Sequence, residues 1–295
     1  MSDSIAKLRH KITSAGEIGS VVRTMKAMAA SNIGQYENAV RSLDDYYRTV
    51  QLGLVAYFRQ DKSSGAVTRA EQKELGAIGA VVFGSDQGLV GQFNDVMVEF
   101  VINTLGDLPG KKTVWAVGER IHSRFAETDL LPVKNFTLPN SISAITPLIG
   151  QVLTEMESLC EKGKIAQVYL FHNRPQSGAI FTPVSQQLLP LDDAWRHNLA
   201  IVQWPTQNLP EVMNSGKRTL QALVHEYLFV SLFRACAESL ASENASRLAA
   251  MQRAEKNIDE LKEELNRTFY RLRQSGIDEE LFDVVSGFEA LAESY

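Results

Sequence analysis

The chain has 295 residues, of which 44% are hydrophobic and 22% are charged, and its formal net charge is -5 at pH 7. A chain of this kind can bury one large core or two modest ones, and it contains no run of eighteen apolar residues that could cross a membrane. The negative charge excludes a general attraction to nucleic acid, so we expect protein partners. The start, MSDSIAKLRHKI, lacks an apolar signal core and predicts a mature terminus facing the cytosol.

The first 58 residues carry apolar side chains at alternating steps of three and four residues. Fourteen of the sixteen positions on this seam are apolar, and no proline interrupts it. The pattern predicts one helix from Ser4 to about Phe58, roughly 80 Å long at 1.5 Å per residue. The seam consists of Ile5, Leu8, Ile12, Ala15, Gly19, Val22, Lys26, Ala29, Ile33, Tyr36, Val40, Leu43, Tyr47, Val50, Leu54 and Tyr57.

The middle of the chain, residues 59–210, contains all nine prolines. Its polar beginning, residues 59–74, predicts an exposed loop, and the alternation of strands and helices that follows predicts a Rossmann-like α/β domain with a mostly parallel sheet. The predicted elements are strand Ala77–Phe83, helix Gly91–Leu105, strand Thr113–Val117, helix Glu119–Glu127, strand Val133–Phe136, helix Ala144–Cys160, strand Ile165–Phe171 and a final hairpin of Tyr169–Asn173 with Phe181–Leu189.

The last 85 residues, 211–295, contain no proline and repeat the seam of the first helix. Twelve of sixteen positions are apolar, which predicts a helix from about Val212 to Val285, roughly 110 Å long. The apolar positions are Leu220, Leu223, Tyr227, Val230, Ala237, Ala241, Leu248, Met251, Ile258, Leu265, Phe269 and Leu272.

The predicted fold class is α/β, in which the two terminal helices form a long antiparallel coiled coil beside the central domain. Small residues near Ala29 and Ala245 let two backbones approach closely, and facing them makes paired residue numbers sum to about 275. A second estimate places the end of the first helix, near Phe58, opposite the start of the last helix, near Ser215, and gives a sum of 273. This register leaves the end of the second helix without a partner from about Phe269. Its apolar residues then predict an interaction site, although the end could instead fold back onto the chain.

The sequence offers no catalytic, metal or cofactor site. The glycine-rich turn Phe83–Phe93 has neither Gly-x-Gly-x-x-Gly spacing nor a nucleophile elbow, so we interpret it as a structural turn. The five histidines never occur at metal-ligand spacing. Cys160 and Cys236 lie far apart in the sequence and predict two reduced, half-buried thiols.

Beyond these patterns, the residues resemble the gamma subunits of F-type ATP synthases along the whole chain. The most specific segment is ESLASENASRLAAM, Glu238–Met251, which continues through Arg273-Gln274, Ile277 and Glu280-Leu281 with the family's internal spacing. Further similarity lies in Arg23–Ala30, Ser85–Asn94 and Leu188–Leu191. The chain departs from the family pattern at Gln87, Val90, Gly118-Glu119-Arg120 and Asp278, where the family has Arg, Cys, Gly-x-Lys-Gly and Thr.

The resemblance implies the rotor shaft of a rotary complex, without catalytic activity of its own. Three alpha and three beta subunits would surround the coiled coil, while the central domain would bind epsilon and the ring of c subunits. This arrangement implies a peripheral position on the cytoplasmic side of the cell inner membrane. The rival hypotheses are a free-standing coiled-coil scaffold or adaptor and a nucleotide-binding α/β enzyme.

The resemblance also implies residues that contact the ring or stabilise the coil beside it. Met25 could instead be plain coiled-coil packing, and Arg247 could belong to a solvated helix face. The predicted parts are an N-terminal helix at 1–58, an α/β foot at 59–210 and a C-terminal helix and tip at 211–295. The predicted contact residues are Met25, Lys26, Arg247, Gln274, Asp278, Glu280, Phe282, Val285 and Phe288.

Overall fold

The computed structural model describes residues 2–60, 77–176, 179–191, 195, 199, 201–208 and 216–292. The predicted loop at 59–74 lies almost entirely outside the described residues. The chain forms two compact units. One combines Met1–Ala29 with Leu248–Tyr295, and the other is Ala30–Arg247.

The order of elements agrees with the prediction from the sequence. Most predicted ends lie within three residues of the observed ones, and the last helix ends seven residues later than predicted, at Ala292 instead of Val285. The elements are helix α1 (Ser2–Gln60), strand β1 (Ala77–Phe83), helix α2 (Phe93–Gly106), strand β2 (Lys112–Val117), helix α3 (Glu119–Phe125), strand β3 (Pro132–Phe136), a 3-10 turn (Ile142–Ala144), helix α4 (Ile145–Glu161), strands β4 (Ile165–Gln176) and β5 (Ala179–Leu189), and helix α5 (Gly216–Ala292).

In the first unit, the beginning of α1 pairs with the end of α5. Lys26 Nζ lies 2.5 Å from Glu255 Oε2, and a Cβ placed on Gly19 would lie 3.4 Å from Ile258 Cγ2. These pairs have residue numbers that sum to 281 and 277. The two segments therefore run antiparallel, close to the predicted register.

In the second unit, the rest of α1 pairs with the beginning of α5. Asn32 Nδ2 donates to Asn244 Oδ1 at 3.3 Å, and Arg234 Nη1 donates to Asp44 Oδ1 at 3.1 Å. Their residue numbers sum to 276 and 278. Antiparallel pairing is confirmed in this unit as well, because both sums lie within a turn of the predicted 273 to 275.

The second unit also contains a five-stranded sheet in the order β3-β2-β1-β4-β5. The first four strands are parallel to their neighbours, and β5 runs antiparallel to β4. The mostly parallel sheet ending in a hairpin is therefore confirmed. The turn predicted for this hairpin falls partly on 177–178, outside the described residues.

Apolar side chains alternate between the two faces of the sheet, which builds a separate core on each face. Val81 and Phe83 of β1 point into one core, together with Leu54 of α1 and Leu232 of α5. Val82 of β1 points into the other core. That second core is completed by residues of α2 and α3, namely Met97, Val98, Val101, Leu105, Ile121 and Phe125.

The two cysteines are free thiols, in agreement with the sequence. Cys160 is half-buried, and its pKa is raised to about 11 by burial and by the nearby Glu157 and Glu161. Cys236 is fully buried, so the half-buried position predicted for it is wrong. None of the described helices combines the length and apolarity needed to cross a membrane.

Candidate functional site

The polar groups of Ser85, in the glycine-rich turn after β1, are hydrogen-bonded to Asn94 at the start of α2. Asn94 Oδ1 accepts a hydrogen bond from the backbone N–H of Ser85 at 3.0 Å, and Asn94 Nδ2 donates to Ser85 Oγ at 2.8 Å. A Cβ on Gly84 would lie 2.3 Å from Ile121 Cβ, so only glycine fits there. These contacts support the interpretation of a structural turn.

The N-terminus of α3, which could hold an anion, is already occupied by Asp86 of this turn. Asp86 Oδ1 accepts from the backbone N–H of Glu119 at 2.9 Å, and Oδ2 accepts from that of Leu138 at 3.0 Å. Gly118 precedes α3 with φ 123°, and a Cβ there would lie 2.8 Å from the carbonyl oxygen of Ser85. The carboxylate thus takes the place that a phosphate would need.

An ionic cluster around the buried Glu238 connects α5 to the sheet and to α1. Glu238 is 5% exposed and accepts hydrogen bonds at 2.8 Å from His172 Nε2 and Arg174 Nε of β4, and from Arg234 Nε one turn earlier on α5. Arg234 also reaches Asp44 of α1. A cavity of about 310 Å³ opens beside these side chains. The cluster as a whole therefore joins α5, β4 and α1, the last through Arg234 and Asp44.

The electrostatics of this cluster follow from burial and pairing. Burial alone raises the pKa of Glu238, but the hydrogen bonds from His172, Arg234 and Arg174 outweigh it and lower the pKa to about 2. Burial lowers the pKa of His172, although Glu238 opposes this shift. At neutral pH the carboxylate is therefore charged, and the imidazole is neutral and donates from Nε2.

Glu238, Ser242 and Asn244 of the segment Glu238–Asn244 form hydrogen bonds with other parts of the chain. Ser242 Oγ donates to the carbonyl oxygen of Asn173 at 3.1 Å, and Asn173 Nδ2 donates to that of Phe93 at 3.2 Å. The motif that is most specific in the sequence therefore attaches α5 to the α/β domain. This attachment explains why small and hydrogen-bonding side chains follow one another there.

Arg247 is used inside the chain as well. Its Nη2 donates to Glu243 Oε1 at 2.6 Å, and its side chain is only 13% exposed. Burial raises the pKa of Glu243, and Arg247 opposes this rise. The alternative interpretation of Arg247 as part of a solvated helix face is therefore wrong. Because this bond lies within α5, the role of Arg247 in stabilising the coil stays a prediction.

Met25 and Lys26 lie in the first unit, on the early part of α1. Met25 is half-buried, and the ammonium of Lys26 is paired with Glu255. Nearby on α1, Ile18, Val21 and Met28 expose more than half of their side chains. The outer face of this segment is therefore more apolar than a solvated helix requires.

The end of α5 exposes the remaining predicted contact residues. Opposite the beginning of α1, Phe269 still lines a groove with residues that include Ile5 and Thr13. From Arg273 to Ser286 nearly every described side chain is exposed. Helix α1, which pairs antiparallel with α5, has its first described residue at Ser2 and offers no further described residue to face this segment. Gln274, Asp278, Glu280, Phe282 and Val285 all belong to this exposed segment, whereas the side chain of Phe288 lies outside the described part.

Sequence reasoning missed the cluster around Glu238. In the sequence, Arg234 is one of the four residues that interrupt the apolar seam of the last helix, and His172 is one of the five histidines without metal-ligand spacing. The spacing of four residues between Arg234 and Glu238 was the available signal, since side chains four residues apart meet on one helix face. The strand that supplies His172 and Arg174 could not be placed beside α5 without the tertiary structure.

Comparisons with known proteins agree along the whole chain. A family model described as ATP synthase matches residues 4–291. The ATP synthase gamma chain of Brevibacillus brevis is 24% identical over 298 residues, which cover 99% of this chain and 100% of the relative.

Two solved structures of Euglena gracilis mitochondrial ATP synthase are similar in fold, each at 16% identity. A chain of the rotor in rotational state 1 has a TM-score of 0.66 and covers 94% of this chain and 100% of the matched chain. A chain of the OSCP/F1/c-ring structure in rotational state 3 has a TM-score of 0.64, and the match covers 99% of this chain and 95% of the matched chain. The paired terminal helices, the five-stranded sheet between them and the match from residue 4 to residue 291 lead to one conclusion: the chain belongs to the family of ATP synthase gamma chains.

Proposed function

We propose that this chain is the central rotor shaft of an F-type ATP synthase. Its rotation couples ion flow through the membrane sector to ATP synthesis or hydrolysis in a ring of alpha and beta subunits. The observation that carries this proposal is the end of α5, which continues past the last partner residue of α1 with Phe282 72% exposed. An apolar helix end of this kind needs a protein around it.

The coupling follows from the asymmetry of the rod. Two helices of unequal length cannot present the same surface to three equivalent neighbours. Each alpha/beta pair therefore makes different contacts with the shaft, and a difference in contact energy shifts each pair toward a different conformation. Turning the rod exchanges these contacts and moves the three pairs through their states in sequence.

The three parts of the chain have different partners in this proposal. Residues 1–58 and 211–295 form the shaft inside three alpha and three beta subunits, and residues 59–210 form the foot that binds epsilon and the c ring. The exposed and half-buried residues on the shaft contact the ring. Lys26 joins the two helices of the coil through Glu255, while Arg247 is positioned on α5 by Glu243 one turn earlier. The proposed contact residues are Met25, Lys26, Arg247, Gln274, Asp278, Glu280, Phe282, Val285 and Phe288.

The chain itself is proposed to be non-catalytic, and nucleotides bind only to its partners. The closed turn of Ser85 and Asn94 and the carboxylate of Asp86 at α3 support this part of the proposal, since they fill the places where a phosphate could bind. The proposed location is peripheral, on the cytoplasmic side of the cell inner membrane, where partners hold the chain at the membrane.

Affinity purification of a tagged chain from its own cells tests the proposal. We expect alpha and beta subunits to co-purify at three copies each per chain, and a bead attached to the central domain to rotate during ATP hydrolysis. A stable homodimer without these subunits would favour a free-standing coiled-coil scaffold. Binding of ATP or NAD by the isolated chain would favour a nucleotide-dependent enzyme.

A further inference from the structure

The end of α5 carries most of the net charge of the chain. Residues 274–286 contain four acidic residues, Asp278, Glu279, Glu280 and Asp283, and no lysine or arginine, which gives this segment a net charge of -4 out of -5 for the whole chain. All four acidic side chains are exposed. We call residues 274–286 the acidic tip.

The acidic tip is also strongly apolar. Ile277, Leu281, Phe282, Val284 and Val285 are between 47% and 72% exposed. An α-helix advances about 100° per residue, so Ile277, Leu281, Val284 and Val285 share one face. Glu279 and Asp283 lie on the opposite face, and Glu280 lies at the edge between the two.

Asp278 does not lie on the acidic face. It is four residues before Phe282 and seven before Val285, so helical spacing places it between these two apolar side chains. A partner that covers Phe282 and Val285 therefore also covers the carboxylate of Asp278. A covered carboxylate must be paired with a cation or a hydrogen-bond donor, because loss of its hydration is otherwise unfavourable.

This combination restricts what can cover the tip. A second copy would bring a second acidic segment against the first, and an anionic membrane surface would repel it. A purely apolar protein surface would leave Asp278 unpaired. We propose that the acidic tip is received by a protein socket whose wall is apolar and carries lysine or arginine side chains, at least one of which faces Asp278. This inference rests on the proposed function, in which the socket is formed by alpha and beta subunits.

Reassembly of the full chain with alpha and beta subunits of the same organism tests the socket. The apparent affinity of assembly is measured from 50 to 300 mM KCl for the unchanged chain, Asp278→Asn and Asp278→Lys. We expect Asp278→Asn to weaken assembly about tenfold at low salt and to reduce its salt dependence, and Asp278→Lys to weaken it at least a hundredfold. Asp107→Lys, an exposed site in the other unit, makes the same charge change and should alter assembly less than twofold.

The outcomes separate this inference from the proposed function. Failure of the unchanged chain to assemble with alpha and beta subunits overturns the proposed function and the socket together. Normal assembly of both Asp278 variants overturns the socket alone. Sedimentation of the chain with phosphatidylglycerol vesicles, or a homodimer that Phe282→Ser disrupts, identifies a different occupant and also overturns it.

Discussion

Glu238 on α5 and His172 on β4 share a buried hydrogen bond of 2.8 Å between Oε2 and Nε2. Because Arg174 and Arg234 bind the same carboxylate, Glu238→Ala leaves three donors without their acceptor. We expect this change to lower the free energy of unfolding by roughly 3–5 kcal/mol. Urea unfolding followed by circular dichroism measures the loss.

A matched control for this change is Glu260→Ala on the exposed part of α5. Glu260 lies 3.8 Å from Lys256, and both side chains are more than 60% exposed. Such surface pairs contribute at most about 1 kcal/mol. Equal losses in the two variants would contradict the role assigned to Glu238.

The same cluster makes stability depend on pH. Since the pKa of Glu238 is lowered from 4.5 to about 2, this group stabilises the fold above pH 4.5, and its contribution is lost as the pH falls toward 2. The lowered pKa of His172 also makes the free energy of unfolding fall as the pH falls. The raised pKa of Glu243 has the opposite effect, because the folded state binds this proton more tightly than the unfolded state does.

We therefore expect the free energy of unfolding to fall between pH 5 and pH 2, with roughly 3 kcal/mol of the fall due to Glu238. In Glu238→Gln this part of the fall should disappear. Unfolding curves at three or more pH values measure it. An unchanged pH profile in the variant would show that other groups control acid unfolding.

Gly84 is required by the close approach of α3 to the turn after β1. A Cβ at this position would lie 2.3 Å from Ile121 Cβ and 2.8 Å from Asn94 Oδ1. We expect Gly84→Ala to destabilise the chain by about 1–3 kcal/mol, as overpacking does. Gly88→Ala is the control, since a Cβ there meets nothing closer than 3.8 Å. Thermal unfolding distinguishes them, and equal stability of the two variants would count against the packing of this turn.

The seam of α1 predicts different effects at two neighbouring alanines. Ala29 is 1% exposed, whereas Ala27 is exposed. A tryptophan at Ala29 should destabilise the chain by roughly 1–3 kcal/mol and disturb coupling of ATP hydrolysis to ion transport in the complex. Ala27→Trp should leave unfolding nearly unchanged. If Ala29→Trp keeps both stability and coupling, the assigned seam is incorrect.

Thiol labelling should report on both cysteines. With the pKa of Cys160 raised to about 11, only about a thousandth of this thiol is ionised at pH 8, and its reaction should accelerate about tenfold per pH unit. Cys236 is fully buried and should react only after unfolding. Absorbance of released thionitrobenzoate measures both, with Cys160→Ser as the control. Fast labelling of both thiols at pH 8 would contradict the raised pKa of Cys160 and the burial of Cys236.

The sequence predicted the order of the elements because each depends on local periodicity. Steps of three and four residues without proline can only describe long helices, and short apolar runs between polar turns describe strands. The end of α5 was the least accurate. Ser286 and Gly287 are poor helix formers, but they do not end this helix, and α5 continues to Ala292.

The candidate site was predicted less completely, since its contacts join residues distant in sequence. Exposure of Phe282 and Val285 followed from the register alone. The pairing of Arg247 with Glu243 could have been deduced from their spacing of four residues. The hydrogen bond from Ser242 to Asn173 could not have been deduced, because it depends on which strand packs beside α5 and on which residues of the two elements face each other.

Helix α5 runs through both compact units without a break, from Gly216 to Ala292. No loop interrupts its backbone hydrogen bonds where one unit gives way to the next at Arg247 and Leu248. An angular displacement imposed on one end must therefore be taken up as a small twist at every peptide along the helix, in the manner of a torsion spring.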